Sequence, residues 1–85
     1  MIHYDLIRQL EDLAFDRRDL GDDGDSDLLL EAIEILGGRE IRPADLRPLL
    51  GDLTGLLIQR REDHDTEGAD CVEAALTALR ARAAA

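Results

Sequence analysis

Leucines recur at three- and four-residue steps through the third quarter of the chain, which is the pattern of a helix with one apolar face. No other segment has so long an apolar stripe, so we expect the other helices to bury their own faces against it. We therefore predict a central helix over about residues 48–62. The stripe consists of Leu46, Leu49, Leu50, Leu53, Leu56, Leu57 and Ile58.

Two prolines limit where this helix can begin. Pro43 suits the first position of a helical turn. Pro48 inside a continuous helix would remove a backbone hydrogen bond and clash with the preceding turn, at a cost of about 3 kcal/mol. We expect a short turn over residues 43–47 and a main helix that starts at Pro48, with a single kinked helix as the alternative.

Three further segments have helical patterns. The first covers about residues 2–15 and has an apolar face that includes Leu10. The second begins near Ser26 or Asp27, either of which is a good N-cap, and it ends at Gly37 and Gly38. The last runs over about residues 66–82, after a polar loop over residues 60–68.

The predicted fold is therefore all-α: a single domain over residues 1–85, built as a small antiparallel bundle of four helices. Tyr4 and Phe15 are the only aromatic residues, and strand-forming residue types are scarce. A core this small could be completed by a second copy of the chain, and we favour a homodimer over a monomer.

Charge narrows the choice of partner. The formal net charge is −10, and arginine is the only strongly basic residue type. Such a domain is repelled by nucleic acid and by anionic membranes, and it is attracted to basic surfaces of other proteins. No leader peptide or membrane-spanning run is predicted, so we expect a cytoplasmic protein. The arginine-only composition indicates a GC-rich bacterial or phage genome.

Carboxylates concentrate in residues 16–27 and again in residues 62–73. If the bundle brings both groups to one side, they could imitate the phosphates of a nucleic acid and block a nucleic-acid-binding protein, as phage-encoded inhibitors of host defence do. The alternative is charge that serves only solubility. The acidic residues that we predict to bind a partner are Asp16, Asp19, Asp22, Asp23, Asp25, Glu62, Asp63 and Asp65.

Gly51 and Gly55 lie on one face of the predicted central helix, where each costs about 1 kcal/mol relative to alanine. We expect the backbone of another helix to approach them closely. The alternative is that a partner's helix fills this notch, and we include both glycines among the candidate partner-binding residues.

Four other patterns are candidate sites. Acidic residues from Asp23 onward partly match a calcium-binding loop, but a leucine replaces its essential glycine. His64 between carboxylates has too few convergent ligands for a metal site. Cys71 suits an ordinary core or boundary position. Gly24-Asp25-Ser26 before an apolar helix resembles the phosphopantetheine attachment site of acyl and peptidyl carrier proteins, although Asp27 stands where carriers have an apolar residue.

The function that we predict is non-enzymatic: an acidic helical module that binds another protein as an adaptor, a regulatory subunit or an inhibitor. A nucleic-acid mimic and a carrier with its arm on Ser26 are the alternatives. No catalytic residue, cofactor or metal ion is predicted. The expected partner is a protein with a basic surface.

Overall fold

A computed structural model describes residues 3–84 of the chain, and the side chains of residues 3–83. Its elements are the helices α1 (Tyr4–Asp19), α2 (Asp23–Leu36), α3 (Pro43–Glu62) and α4 (Thr66–Ala84). The most extensive backbone contacts join α1 to α2 and α3 to α4, so the bundle consists of two helical hairpins packed on each other. The predicted all-α bundle of four helices is confirmed. The predicted start of the first helix at residue 2 lies outside the described residues.

The core is aliphatic and draws on all four helices. Of these, α3 supplies five leucines, as its stripe predicts, while α2 and α4 bring the two hairpins together. Burial of one such side chain contributes about 1.5–3 kcal/mol. The largest fully buried hydrophobic side chains are Leu10, Leu29, Ile35, Leu53, Val72, Leu76 and Leu79.

Within the described residues, three helices end in the same hydrogen-bonded turn, in which a residue with positive φ reverses the chain. Gly21 (φ 82°) follows α1, Gly38 (φ 118°) follows α2 and His64 (φ 59°) follows α3. At each end the next amide donates back into the last turn of the helix, for example Arg39 N to the Glu34 carbonyl at 3.0 Å. The predicted stop at Gly37 and Gly38 is confirmed.

The predicted turn over residues 43–47 is wrong, because α3 runs without interruption from Pro43 through Pro48. Pro48 is the sixth residue of the helix, where the carbonyl that loses its donor belongs to Ala44. Both residues are exposed, so water can bind that carbonyl and the cost is lower than in a buried helix. The continuous helix also keeps Leu46 in register with the core, where it is 4 % exposed.

The predicted start of α2 at Ser26 or Asp27 is also wrong, because the helix begins at Asp23 and its N-cap position is Asp22. The Ser26 amide donates to the Asp22 carbonyl at 3.2 Å, which places Ser26 inside the first turns. Only residues 20–22 separate α1 from α2, so most of the acidic stretch over residues 16–27 is helical. Negative side chains at this end are stabilised by the positive end of the helix dipole.

The loop between α3 and α4 is shorter than the predicted span of residues 60–68 and consists of residues 63–65. The predicted start of α4 near Thr66 is confirmed. Asp65 caps that helix, since its Oδ1 accepts the Gly68 amide at 3.0 Å. Arg60, which the predicted central helix and the predicted loop both include, lies in the last turn of α3 and is only 4 % exposed.

Candidate protein-binding cleft

Both short loops lie at the same end of the bundle, because the helices alternate in direction. The carboxyl end of α1 lies beside the amino end of α4, and Arg60 at the carboxyl end of α3 is close enough to act on Asp25 at the amino end of α2. This arrangement brings residues 16–27 and residues 62–73 together, although they are far apart in the sequence. Both acidic groups therefore lie at one end of the molecule.

A cleft of about 780 Å³ opens between α1 and α4 at this end. We call it the acidic cleft. Its apolar surface comes from Leu13, Leu20 and Cys71, and Leu20 is 71 % exposed. Arg17 is the one cation among the residues that line it. Its carboxylates come from α1 and from the start of α4: Asp12, Asp16, Asp19, Asp65, Glu67 and Asp70.

Arg17 does little to neutralise the acidic cleft, because its Nη1 lies 3.8 Å from the Asp22 carboxylate and its side chain is only 15 % exposed. Asp65 lies 3.8 Å from the buried Arg60 guanidinium. The other five carboxylates of the cleft form no ion pair within residues 3–84. A cleft lined mostly by carboxylates concentrates a negative electric field and attracts positively charged groups.

A buried polar cluster joins the two hairpins at the same end of the bundle. Arg60 Nη2 donates to Asp63 Oδ2 at 2.8 Å, while Arg60 Nε and Asp25 Oδ2 are buried without a protein partner among the described residues. Burial raises the pKa of the Asp25 carboxyl above its ordinary value of 3.8, and the hydrogen bond and charge of Asp22 raise it further. The guanidinium groups of Arg60 and Arg17 act in the opposite direction on that pKa.

The structure divides the predicted partner-binding residues into three groups. Asp16, Asp19 and Asp65 line the acidic cleft. The second group lies at the same end of the bundle but does not line the cleft, and it consists of Asp22, Asp23, Asp25, Glu62 and Asp63. Of these, Asp22 and Asp25 are half-buried and the other three are exposed. The third group, Gly51 and Gly55, lies on the outward face of α3.

The expected approach of another helix of this chain to Gly51 and Gly55 is wrong. Both glycines are exposed, and a Cβ atom built on either would meet no atom within 4 Å. The buried face of α3 is formed by its leucines, and the glycines lie opposite them. Packing among residues 3–83 therefore does not explain why both positions are glycine.

Several residues important for this end of the molecule were missed from the sequence, among them the cleft carboxylates Asp12, Glu67 and Asp70 and the buried Arg60. Asp12 lines the cleft in front of Asp16 and Asp19, and its spacing of four and seven residues from them is the signal that could have found it. The burial of Arg60 had no such signal, because arginines are mostly exposed and nothing local marks this one.

Cys71 is confirmed as a boundary residue of the core, being 8 % exposed. Burial raises the pKa of its thiol to about 11, so the thiol stays protonated at neutral pH and reacts slowly. Ser26 is 1 % exposed within α2, which removes the accessible hydroxyl that a phosphopantetheine arm would need. Among the described residues, no three His, Cys, Asp or Glu side chains are grouped so that they could hold a metal ion.

None of the four helices in residues 3–84 combines the length and apolarity needed to cross a membrane. Comparisons with protein-family models, with curated proteins and with solved structures gave no match.

Proposed function

We propose that this protein is a non-enzymatic binding module that holds a basic segment of another protein in the acidic cleft. One observation carries the proposal: two acidic groups, distant in sequence, meet on a single cleft that also exposes apolar side chains. A binding module of this kind would act as an adaptor, a regulatory subunit or an inhibitor.

The chemistry of the acidic cleft defines the partner. Rows of carboxylates from α1 and α4 face a shared space, and guanidinium or ammonium groups would relieve their mutual repulsion. Leu13 and Leu20 offer apolar surface between the rows, so an apolar residue within the basic segment would add contact area. Charge would then speed association, and the apolar contact would slow dissociation.

The test compares two variants with the same net charge. The cleft variant is Asp12→Asn, Asp16→Asn and Asp19→Asn. The control variant changes three exposed carboxylates elsewhere: Glu11→Gln, Glu31→Gln and Glu40→Gln. Fluorescence anisotropy would measure the affinity of both variants and of the original protein for short arginine-rich peptides with and without one central leucine.

We expect the cleft variant to bind the leucine-containing peptide at least about tenfold more weakly than the control variant, a loss of about 1.4 kcal/mol. Peptide binding should also weaken as salt rises. Equal losses in both variants would mean that net charge alone attracts the peptide, and the proposed cleft would be rejected. Equal affinity for the peptides with and without the leucine would show that the proposed apolar contact does not form.

Mimicry of nucleic acid is the second candidate, favoured by the two opposing rows of carboxylates. On α1, Asp12, Asp16 and Asp19 are separated along the axis by about 6 and 4.5 Å. The target would then be the nucleic-acid site of another protein. Duplex DNA should compete with this protein for such a target, whereas a basic segment outside any nucleic-acid site would stay bound when DNA is added.

A further inference from the structure

The outward face of α3 presents four residues in a symmetric order, at steps of three, four and three. We call Pro48, Gly51, Gly55 and Ile58 the α3 notch. All four are exposed, and Ile58 keeps 53 % of its surface open to solvent although it is a large apolar residue. Because a helix turns once in 3.6 residues, the four form one stripe opposite the buried leucines.

The glycines of the α3 notch are costly within the chain itself. Each lowers helix stability by about 1 kcal/mol relative to alanine. Neither has the positive φ that requires glycine at Gly21 and Gly38. A side chain at either position would point into open space. Nothing within the described residues offsets that cost, so the reason for glycine lies outside this copy.

We infer that the α3 notch is the interface of a homodimer in which two α3 helices pack antiparallel about a two-fold axis near Leu53. That axis places Gly51 opposite Gly55 of the second copy, and Pro48 opposite Ile58 of the second copy. The order of the four residues reads the same from both ends, as a two-fold interface requires. The glycines let the backbones approach, and Pro48 and Ile58 cover each other on both sides.

Charge at the ends of the stripe fits the same arrangement. Arg47 precedes the α3 notch and Glu62 follows it; both are exposed, and neither forms an ion pair within residues 3–84. In the antiparallel pair, Arg47 lies opposite Gln59 of the second copy, and Glu62 of that copy is three residues, or about 4.5 Å, further along the axis, within reach of the long arginine side chain. Apart from these pairs, two copies of charge −10 repel each other, so we expect salt to strengthen the dimer.

The acidic cleft stays free in this dimer. It lies between α1 and α4, and α1 makes no close backbone contact with α3 within the described residues. The dimer would therefore present two acidic clefts. Since α3 is only about 30 Å long, one helix pair buries less surface than the usual 1,200–2,000 Å² or so of a stable interface, and the dimer should be weak.

Sedimentation equilibrium at protein concentrations up to about 1 mM tests the inference. The original protein should rise from its monomer mass of 9.4 kDa towards twice that value. Gly51→Gln with Gly55→Gln should stay monomeric, and circular dichroism should show that it remains folded, since both changes favour helix. Gly24→Gln is the matched control, because Gly24 is also helical with open space around its Cβ, and it should dimerise normally.

Disulfide trapping tests the register. Pro48→Cys and Ile58→Cys variants are mixed under oxidising conditions, and the buried Cys71 thiol competes poorly. The mixed disulfide should form faster than either like-with-like disulfide. A monomeric original protein, a dimer that survives the paired glutamines, or a preference for like-with-like disulfides would each overturn the inference.

Discussion

Arg60→Ala should be among the most damaging single changes at the loop end of the bundle. The change removes a side chain that is 5 % exposed and that joins the end of α3 to the loop before α4. Two buried methylene groups account for about 1.6 kcal/mol. The hydrogen bond to Asp63 adds about 1–2 kcal/mol, at the lower end because the Asp63 side chain is 57 % exposed and can be rehydrated.

We therefore expect Arg60→Ala to lower the free energy of unfolding by about 3 kcal/mol, from a total of about 4–13 kcal/mol for a domain of this length. Arg60→Met keeps an aliphatic side chain of similar length and loses only the guanidinium group, so it should lower the free energy of unfolding by about 1–2 kcal/mol. Urea unfolding followed by circular dichroism, with equal slopes for all variants, measures both values.

Arg61→Ala is the matched control for this prediction. Arg61 forms a shorter hydrogen bond, 2.6 Å to Glu73, but its side chain is 58 % exposed. An exposed ion pair contributes at most about 1 kcal/mol. If Arg61→Ala lowered the free energy of unfolding as much as Arg60→Ala, burial would not be what makes Arg60 important for stability.

Three further changes have clear expected outcomes. The pKa of the Asp25 carboxyl is raised in the folded protein, so the contribution of Asp25 to stability is complete below pH 3.8 and is lost as pH rises through the folded pKa. Asp25→Asn lacks this titration and should therefore become more stable relative to the original protein over that rise in pH. Urea unfolding at several pH values measures the difference. His64→Gly removes the strain of a positive φ at an exposed position and should raise the free energy of unfolding by about 0.5–1 kcal/mol; no gain would show that His64 is not strained. Arg82→Met removes donors to the Ile35 and Arg39 carbonyls at the end of α2, and it should cost about 1 kcal/mol and speed amide exchange in the last turn of α2.

The sequence was sufficient for the fold because the helical signals are strong and local. The leucine period predicts the buried face of α3, and Gly38 marks the end of α2 through its positive φ. The predicted helix boundaries were wrong where tertiary packing outweighed a local sequence preference. Pro48 should have broken α3, but a break there would have removed Leu46 from the core, and the cost is small because the Ala44 carbonyl that loses its donor is exposed.

The acidic cleft was only half predictable. Composition identified two groups of carboxylates, and their meeting depended on the direction of four helices, which the short loops allowed but did not prove. The Arg60 cluster could not be predicted, because it depends on which side chain the end of α3 turns inwards. The α3 notch was visible as a pair of glycines, yet its exposed position became evident only when the other helices were placed.

Helix dipoles separate the carboxylates that folding favours from those that it does not. Asp23 and Glu67 lie in the first turns of α2 and α4, where negative charge is stabilised. Asp16 and Asp19 lie in the last turn of α1, where each should cost about 0.3–1 kcal/mol. Both line the acidic cleft, together with Asp65 and Glu67 at the favourable start of α4, so the cleft includes two carboxylates whose charge the α1 dipole opposes.

That contrast gives the sharpest test of whether the charge is functional. Asp16→Asn with Asp19→Asn should raise the free energy of unfolding by about 0.5–2 kcal/mol, since both charges lie at the negative end of the α1 dipole. The same variant should lose affinity for the arginine-rich peptide. A variant that gains stability and binds as before would show that these two carboxylates serve solubility alone. Stability gained together with binding lost is the trade-off expected of residues kept for a partner.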